Sequence, residues 1–318
     1  MLPSLNIIIV NWNAGYQLTE CLNSIADSDL TKFRLDRVTI VDNASTDLSI
    51  DSIEKINLPL NIIINTANKG FGFACNQGAV DSNSDYFLFL NPDTKVFKDS
   101  LDRSISFIES SLSQKVGVVG VQLVDSRGEI HRSCTRFPSL FTFLYSILGI
   151  DKVLKNKSSS YFMTEWDHRN TQAVDQVMGA FYLIRSEIFI KLDGFDESFF
   201  VYFEDLDLSY RLKQLGWSSY YLADIQSFHQ VGGTSKAIKS TRLFYFIRSR
   251  ILYAYKHFSW ISATIILIAS LLIEPITRIV FALMKLSLVQ AKETLFAYIQ
   301  LFADYRNIYK LISQQIDK

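Results

Sequence analysis

Asp85-Tyr86-Phe87-Leu88-Phe89-Leu90-Asn91-Pro92-Asp93-Thr94 runs five large apolar residues straight into Asn-Pro-Asp. An unbroken apolar run of that length predicts a strand buried on both faces, as in a parallel sheet. Pro92 ends it by removing a ladder donor and holding Asn91 extended. Open α/β sheets collect ligands at the carboxyl ends of their strands, so Asp93 is placed to meet a metal-bound phosphate. A carboxylate there can equally cap the next helix.

Working upstream, Leu5 to Val10 is mostly β-branched and breaks at Asn11-Trp12-Asn13-Ala14-Gly15. An amphipathic helix is predicted to about Asp29, with Leu18, Cys21, Leu22 and Ile25 on one face. Val38 to Val41 reads as a second strand ending in Asp42-Asn43-Ala44-Ser45-Thr46-Asp47. Ser45 and Thr46 suit the cap of a helix carrying Ile50 and Ile53. Leu60 to Ile64 is a third strand ending in Asn65, and Asn68-Lys69-Gly70-Phe71-Gly72 opens another helix. Strands alternating with helices predict βαβ units and a mainly parallel sheet, whose polar strand ends share one edge.

Downstream of Asp93 a helix is predicted to about Ser111, then a strand from Val116 to Val121 and a hairpin turn at Asp125-Ser126-Arg127-Gly128. Residues 151–173 lack periodicity and read as a long loop. Order returns at Val177 to Ile184, and Gly194 to Leu208 leads into a helix ending near Gly216.

Hydrophobic residues make up 48% of the 318, enough for a large core and incompatible with a disordered chain. That length suits one large domain with an appendage, or two smaller ones. Lys plus Arg and Asp plus Glu both number 32, so bulk charge gives no case for nucleic acid. Cys21, Cys75 and Cys134 lie far apart, which fits a reducing compartment and neither a zinc knuckle nor a disulfide framework. No basic segment precedes the first strand, so no secretory leader is expected. The sequons at Asn43 and Asn156 then read as chance matches in a cytoplasm-facing protein.

Two clusters carry chemistry. Glu204-Asp205-Leu206-Asp207 puts three carboxylates within four residues, which repel unless a cation or a proton is shared. One of them can act as a general base on a hydroxyl; the same residues also suit a solvated helix N-terminus. His229, beside Gly232-Gly233, can complete a divalent-metal shell with Asp93 and phosphate oxygens, although a lone histidine is more often structural. Gly70-Phe71-Gly72 is only a partial dinucleotide fingerprint. It follows the third strand instead of the first, which argues against a Rossmann dehydrogenase.

Val10-Asn11-Trp12-Asn13, Val41 to Asp47, Asn68 to Gly72, Phe89 to Thr94, Gly179-Ala180-Phe181 and Gly194 through Leu208 occur in order. Together these motifs resemble family 2 glycosyltransferases, especially the rhamnosyltransferase-like branch, over roughly residues 4 to 235. The resemblance implies a GT-A fold of α/β class, a mixed and mainly parallel sheet flanked by helices. It implies inverting transfer of a sugar, with rhamnose or another deoxyhexose favoured, from a dTDP- or UDP-linked donor to a glycan or lipid-linked acceptor, assisted by Mg²⁺ or Mn²⁺. By that resemblance Asp205 is the base with Glu204 beside it, Asp42 reads the base or ribose, and Asp93 and His229 hold the metal. Asn11, Asn13, Asp42, Asn68, Lys69, Gly70, Asn76, Asn91, Asp93 and Gly179 form the donor site. Asn91 departs from the aspartate many relatives have, leaving one carboxylate ligand. Rival readings are a nucleotidyltransferase and an inactive sugar-nucleotide-binding scaffold; the distant acidic cluster opposes the first, and retention of Asp93 and Asp205 the second.

The expected domains are 1–235, with a nucleotide-binding half to about 121 and an acceptor half from 122, and a helical C-terminal region, 236–318. Between Ile225 and Ile273 there is no acidic residue, while Lys236, Lys239, Arg242, Arg248, Arg250 and Lys256 are basic. Phe258 to Ile273 is an uncharged, mostly apolar run of sixteen residues, short of the ~20 a spanning helix needs, and Glu274-Pro275 is expected to stop it. Leu288, Ala291, Leu295, Tyr298, Phe302, Tyr305 and Tyr309 form one helical stripe. A tail lying in the anionic cytoplasmic face of a membrane is the favoured reading; packing on the catalytic domain or a homo-oligomer contact is the other.

Overall fold

The computed structural model describes residues 1–51, 53, 55–110, 115–150, 161–230 and 239–316. The lysine-rich start of the long loop, the Asn156 sequon, Gly232-Gly233, Lys236 and the boundary at 235 lie outside them.

In chain order the elements are β1 (Ser4–Asn11), α1 (Tyr16–Ala26), β2 (Arg34–Asp42), β3 (Leu60–Ile64), α2 (Phe71–Ala79) and β4 (Tyr86–Leu90). Then come β5 (Thr94–Val96), α3 (Ser100–Glu109), β6 (Val116–Val124), β7 (Cys134–Thr135), α4 (Leu140–Ile147), β8 (Gln172–Val174) and β9 (Gln176–Val177). β10 (Phe181–Arg185), α5 (Ser186–Lys191), α6 (Glu204–Gln214) and β11 (Ser218–His229) follow. Last are α7 (Lys239–His257), α8 (Trp260–Ile268), a π turn (Ala269–Ile273), α9 (Glu274–Met284), α10 (Leu288–Ala303) and α11 (Tyr305–Ile316).

The chain forms two compact units. The first comprises Met1–Arg136, Trp166–Glu197 and Glu204–Thr234. The second comprises Phe137–Glu165, Ser198–Phe203 and Ser235–Lys318, so two segments expected with the first domain cluster with the C-terminal helices.

The first unit is built on a sheet of order β3-β2-β1-β4-β10-β6-β11-β5, with β8 on β11. β3, β2, β1 and β4 are mutually parallel, whereas β10 runs antiparallel to both β4 and β6. β4 is therefore the seam between a parallel half and a mixed half. All five of its residues are buried, as the apolar run requires. Because β10 is antiparallel, its start lies at the same edge as the end of β4, with Phe181 opposite Leu90. β11 returns parallel to β6 and antiparallel to β5, setting His229 opposite Thr94.

Three local expectations differ. Among the described residues of 43–59 no helix forms. The polar side chains that suited a cap bind the loop itself: Asn13 Oδ1 accepts from the Thr46 and Asp47 N–H groups, and Asp47 Oδ1 from Ser49. Such local bonds compete with a helix for the same donors. The chain after Asp93 first makes β5 and only then α3, because β11 offers Thr94–Val96 an edge to pair with. β11 was not foreseen, although Tyr220, Tyr221, Leu222 and Ile225 are typical strand residues. The turn at Asp125 stands: Gly128 takes φ +76° and donates to the Asp125 carbonyl.

In the second unit the apolar run does not stop at Glu274-Pro275. The wide π turn spans Ala269–Ile273, its end marked by the Glu274 N–H donating to the Ala269 carbonyl. Pro275 then enters the first turn of α9, where its missing N–H leaves no bond unmade. Glu274 turns inward to meet Arg250, and Arg278 approaches its other oxygen at 2.7 Å. The result is a 25-residue helical run, Trp260–Met284, of mean hydropathy 2.1, long and apolar enough to cross a membrane. The expected stripe splits at Asp304 into α10 and α11. Of its members Tyr298 is buried, while Leu288, Leu295, Phe302, Tyr305 and Tyr309 are exposed.

The basic residues are also engaged. Arg248 and Arg250 are buried, the former 3.3 Å from Asp304. Lys239 lies 3.8 Å from Glu293, Arg242 donates to the Tyr202 hydroxyl, and Lys256 sits over the Phe199 ring. Arg248 and Arg250 are thus drawn into the unit, whereas Lys239 stays at its surface.

One packing constraint is directly testable. A Cβ on Gly78 of α2 would stand 2.6 Å from Ile8 Cγ2 and 3.2 Å from Val41 Cγ2. Gly78→Ala is expected to cost about 1–3 kcal/mol by overpacking α2 against β1 and β2. Urea denaturation reads this as a lower midpoint, and an unchanged midpoint contradicts so close a seat.

Candidate functional site

The carboxyl ends of β1 and β2 are laced by side chains. Asn11 is buried and its Nδ2 donates to Asp42 Oδ1 at 2.7 Å, with the Ser49 and Ser45 hydroxyls at 2.7 and 3.0 Å. Asp42 Oδ2 accepts from the Ser45 N–H at 3.1 Å. Asn11 Oδ1 keeps no partner among the described residues. Asn13, at φ +53°, is committed to the 45–47 turn and so shapes the rim.

A second lacing joins that rim to the loop before α2. Asn43 Nδ2 donates to Asn68 Oδ1 and to the Gly70 carbonyl, while its Oδ1 accepts from the Lys69 N–H. Gly70 has φ +97°, a value other residues rarely adopt. Lys69 is exposed, with its ammonium over the Phe73 ring. Asn76 has a structural task instead of the expected donor contact. Its Nδ2 donates to the Phe195 carbonyl and Glu197, and its Oδ1 accepts from the Phe195 N–H.

At the end of β4 the Asn91 N–H donates to the Ala180 carbonyl at 3.1 Å. The next residue back, Gly179, donates its N–H to Asp205 Oδ2 at 2.9 Å. Two consecutive residues thereby tie the Asn91-Pro92-Asp93 corner to the acidic helix start. Asp93 Oδ1 lies 3.3 Å from His229 Nε2, both side chains being mostly buried. This pair exists because β5 and β11 are neighbours.

Among the described residues no group of three or more His, Cys, Asp or Glu side chains is assembled to hold an ion. A carboxylate and an imidazole 3.3 Å apart nevertheless match neighbouring ligands of a hard divalent ion, which stand about 3 Å apart at bond lengths near 2.1 Å. Mg²⁺ characteristically takes one or two carboxylates and completes its shell with substrate phosphates and water. The donor set fits such an ion when a diphosphate is present.

The acidic cluster is less symmetrical than its sequence. Asp207 is buried and paired with Arg211 at 2.8 Å, and Arg211 also donates to the Leu192 and Gly194 carbonyls, so it holds the loop before α6. Glu204 is buried, and its Oε2 lacks a partner among the described residues. Burial, then the neighbouring Asp205 charge, raises its carboxyl well above the usual range. Asp205 is also raised by burial, but hydrogen bonds from Gly179, Leu206 and Gln176 oppose the rise. Burial thus favours the neutral form of Glu204, whereas the donated hydrogen bonds favour the charged form of Asp205.

Two contributors escaped the sequence reading. Gln176 donates to Asp205 Oδ2 at 2.9 Å and sits three residues before Gly179, the only hint of its place. His131, just after the hairpin turn, sets its ring 6.1 Å from His229, edge to face. Each of these histidines has an Nδ1 without a partner among the described residues.

A rhamnosyltransferase acting on N-acetylglucosaminyl-diphospho-decaprenol in Mycobacterium tuberculosis is 27% identical over 241 residues, covering 72% of this chain and 76% of that protein. The rhamnosyltransferase WbbL of Escherichia coli K12 is 31% identical over 54% of this chain and 62% of its own length. Two solved structures share the fold. The Pyrobaculum calidifontis mannosyltransferase PcManGT, bound to GDP-mannose and Mn²⁺, gives a TM-score of 0.55 at 18% identity over 99% of this chain and 84% of its own. Staphylococcus aureus TarS with UDP-GlcNAc gives 0.53 at 15% over 96% and 92%. The family model described as Glycosyl transferase family 2 matches residues 6–189, and with the sheet and its acidic edge in place the chain belongs to that family.

Proposed function

We propose that the protein is an inverting glycosyltransferase moving rhamnose or another deoxyhexose from a dTDP- or UDP-linked donor to a lipid-linked or polysaccharide acceptor in cell-envelope synthesis. The observation that carries this reading is the link Asp205···Gly179-Ala180···Asn91. It sets a base and a diphosphate-facing corner within one short span of backbone. The names of the relatives, both rhamnosyltransferases and one acting on a polyprenyl diphosphate, support the sugar and the lipid-linked acceptor.

The residues divide the work. Asp205, its charged form supported by donated hydrogen bonds, accepts the proton of the acceptor hydroxyl as that oxygen attacks the anomeric carbon; the bond to the donor's phosphate oxygen breaks on the opposite face. Glu204, kept neutral, adds no second charge beside it. Asp93 and His229 hold the divalent cation, with Asn91 alongside, and Asp42, Asn68, Lys69 and Gly70 frame the nucleotide. The cation, Mg²⁺ or Mn²⁺, supplies charge stabilisation to the departing diphosphate.

Asp205→Asn is expected to retain donor binding and lose about 10²–10⁴-fold in turnover, whereas Glu204→Gln, which mimics a side chain already neutral, loses far less. A deader Glu204→Gln reverses the assignment. EDTA should abolish transfer, and Asp93→Ala should bind nucleotide-sugar with much weaker metal dependence; full turnover in excess chelator rules out the cation.

We further propose that the second unit docks on the cytoplasmic face of the membrane. Only 28% of the apolar window in Trp260–Met284 is buried within the protein, and Ile268, Leu272, Ile276 and Val280 are exposed. Because these apolar side chains are exposed while Arg248 and Arg250 are buried, apolar insertion is the main force. In liposome flotation the full chain should rise with neutral and anionic vesicles alike, and Leu272→Asp with Ile276→Asp should stay below. A parent chain that floats with neither and forms a dimer instead assigns this face to a second copy.

A further inference from the structure

Gln176 is the side chain that the proposed reaction leaves unassigned, and its surroundings are specific. It lies on β9, which pairs with β7 in a two-stranded sheet, Thr135 opposite Gln176. Its amide is buried and fully engaged. Nε2 donates to Asp205 Oδ2 at 2.9 Å and to the Val177 carbonyl at 2.7 Å, while Oε1 accepts from the Thr135 hydroxyl at 2.7 Å. The amide orientation follows from those partners. Turned over, Oε1 would face a carboxylate and a carbonyl, two acceptors with no proton between them.

The two oxygens of Asp205 are thereby made unequal. Oδ2 accepts from Gln176 and from the Gly179 N–H, both at 2.9 Å, which fills its two lone-pair directions. Among the described residues Oδ1 accepts from the Leu206 N–H, at 2.8 Å, a bond from the adjacent backbone that leaves its second direction for a substrate. We infer that Gln176 is the positioning residue of the base: it holds Asp205 ionised and turned so that Oδ1 receives the acceptor's proton. Thr135 in turn fixes Gln176, so a small two-stranded sheet sets the direction of the carboxylate.

This rests on Asp205 being the base, and it adds which oxygen acts and what keeps it charged. The groups facing Asp205 are Glu204 and Asp207 on its own helix, Cys75 on α2 and Tyr182 on β10. Arg211 neutralises Asp207 from the same helix. All five remain when Gln176 is replaced. Loss of a donor to the charged form raises a carboxyl pKa, and a second carboxylate in its place raises it further.

The test is a ¹³C NMR titration of the full chain labelled at aspartate Cγ, with the Asp205 resonance identified by its loss in Asp205→Asn and no donor added. Gln176→Leu is expected to raise the Asp205 midpoint by about one pH unit, and Gln176→Glu by more. Thr135→Val, a milder change that leaves the amide in place, gives a smaller rise, and Thr135→Ser none. In transfer assays Gln176→Leu lowers kcat with donor KM unchanged, and the acid limb of the pH profile moves up with the NMR midpoint. An Asp205 midpoint that is the same in the parent, Gln176→Leu and Thr135→Val overturns the inference. Because the titration needs no substrate, its failure is separate from any failure of sugar transfer.

Discussion

The pairing of β4 on both sides is the constraint from which the site follows. Parallel to β1 and antiparallel to β10, it brings the end of one strand and the start of another to a single edge. Asn91 and Ala180 are hydrogen-bonded there, and the Pro92 corner turns the chain into β5. A sheet parallel throughout would put the Gly179-Ala180 loop at the opposite end, far from Asp93. The reversal at β10 is thus what brings the Asn91-Pro92-Asp93 corner and, through Gly179, Asp205 to one edge of the sheet.

Burial then differentiates groups that the sequence presents as alike. Glu204, Asp205 and Asp207 are three carboxylates in four residues, yet burial raises the Glu204 carboxyl well above its usual range, Asp205 is held by donated hydrogen bonds, and Asp207 is paired with Arg211. Desolvation penalises every charge in such a place; only specific donors or a cation offset it. The protein provides several donors for Asp205 and a guanidinium for Asp207, and among the described residues leaves Glu204 Oε2 without a partner. The chemical roles follow from that distribution.

Much of this was legible in the sequence because it depends on local signals. β3 and β4 begin and end where the apolar runs do, and the polar strand ends do meet along one edge. What could not be read depends on partners distant in the chain. β5 exists only because β11 pairs with it across more than a hundred residues, and the same pairing brings His229 to Asp93. Gln176 acquires its importance from a two-residue strand that no periodicity announces. Asn76 matched a motif, but its amide closes on Phe195, a contact visible only in three dimensions. In the tail, Pro275 suggested a break, and a π turn that lets the helix continue has no sequence signature beyond that proline.

The central claim is that this edge transfers a sugar from a nucleotide diphosphate. Incubating the full chain with a panel of dTDP-, UDP- and GDP-sugars, with Mg²⁺ or Mn²⁺ and a polyprenyl-diphosphate-linked N-acetylglucosamine acceptor, tests it most directly. The account predicts release of nucleoside diphosphate from one deoxyhexose donor, together with a glycosidic product whose anomeric configuration is the opposite of the donor's. Product of retained configuration, or a protein that binds a donor yet releases no diphosphate under any metal and acceptor, would contradict it.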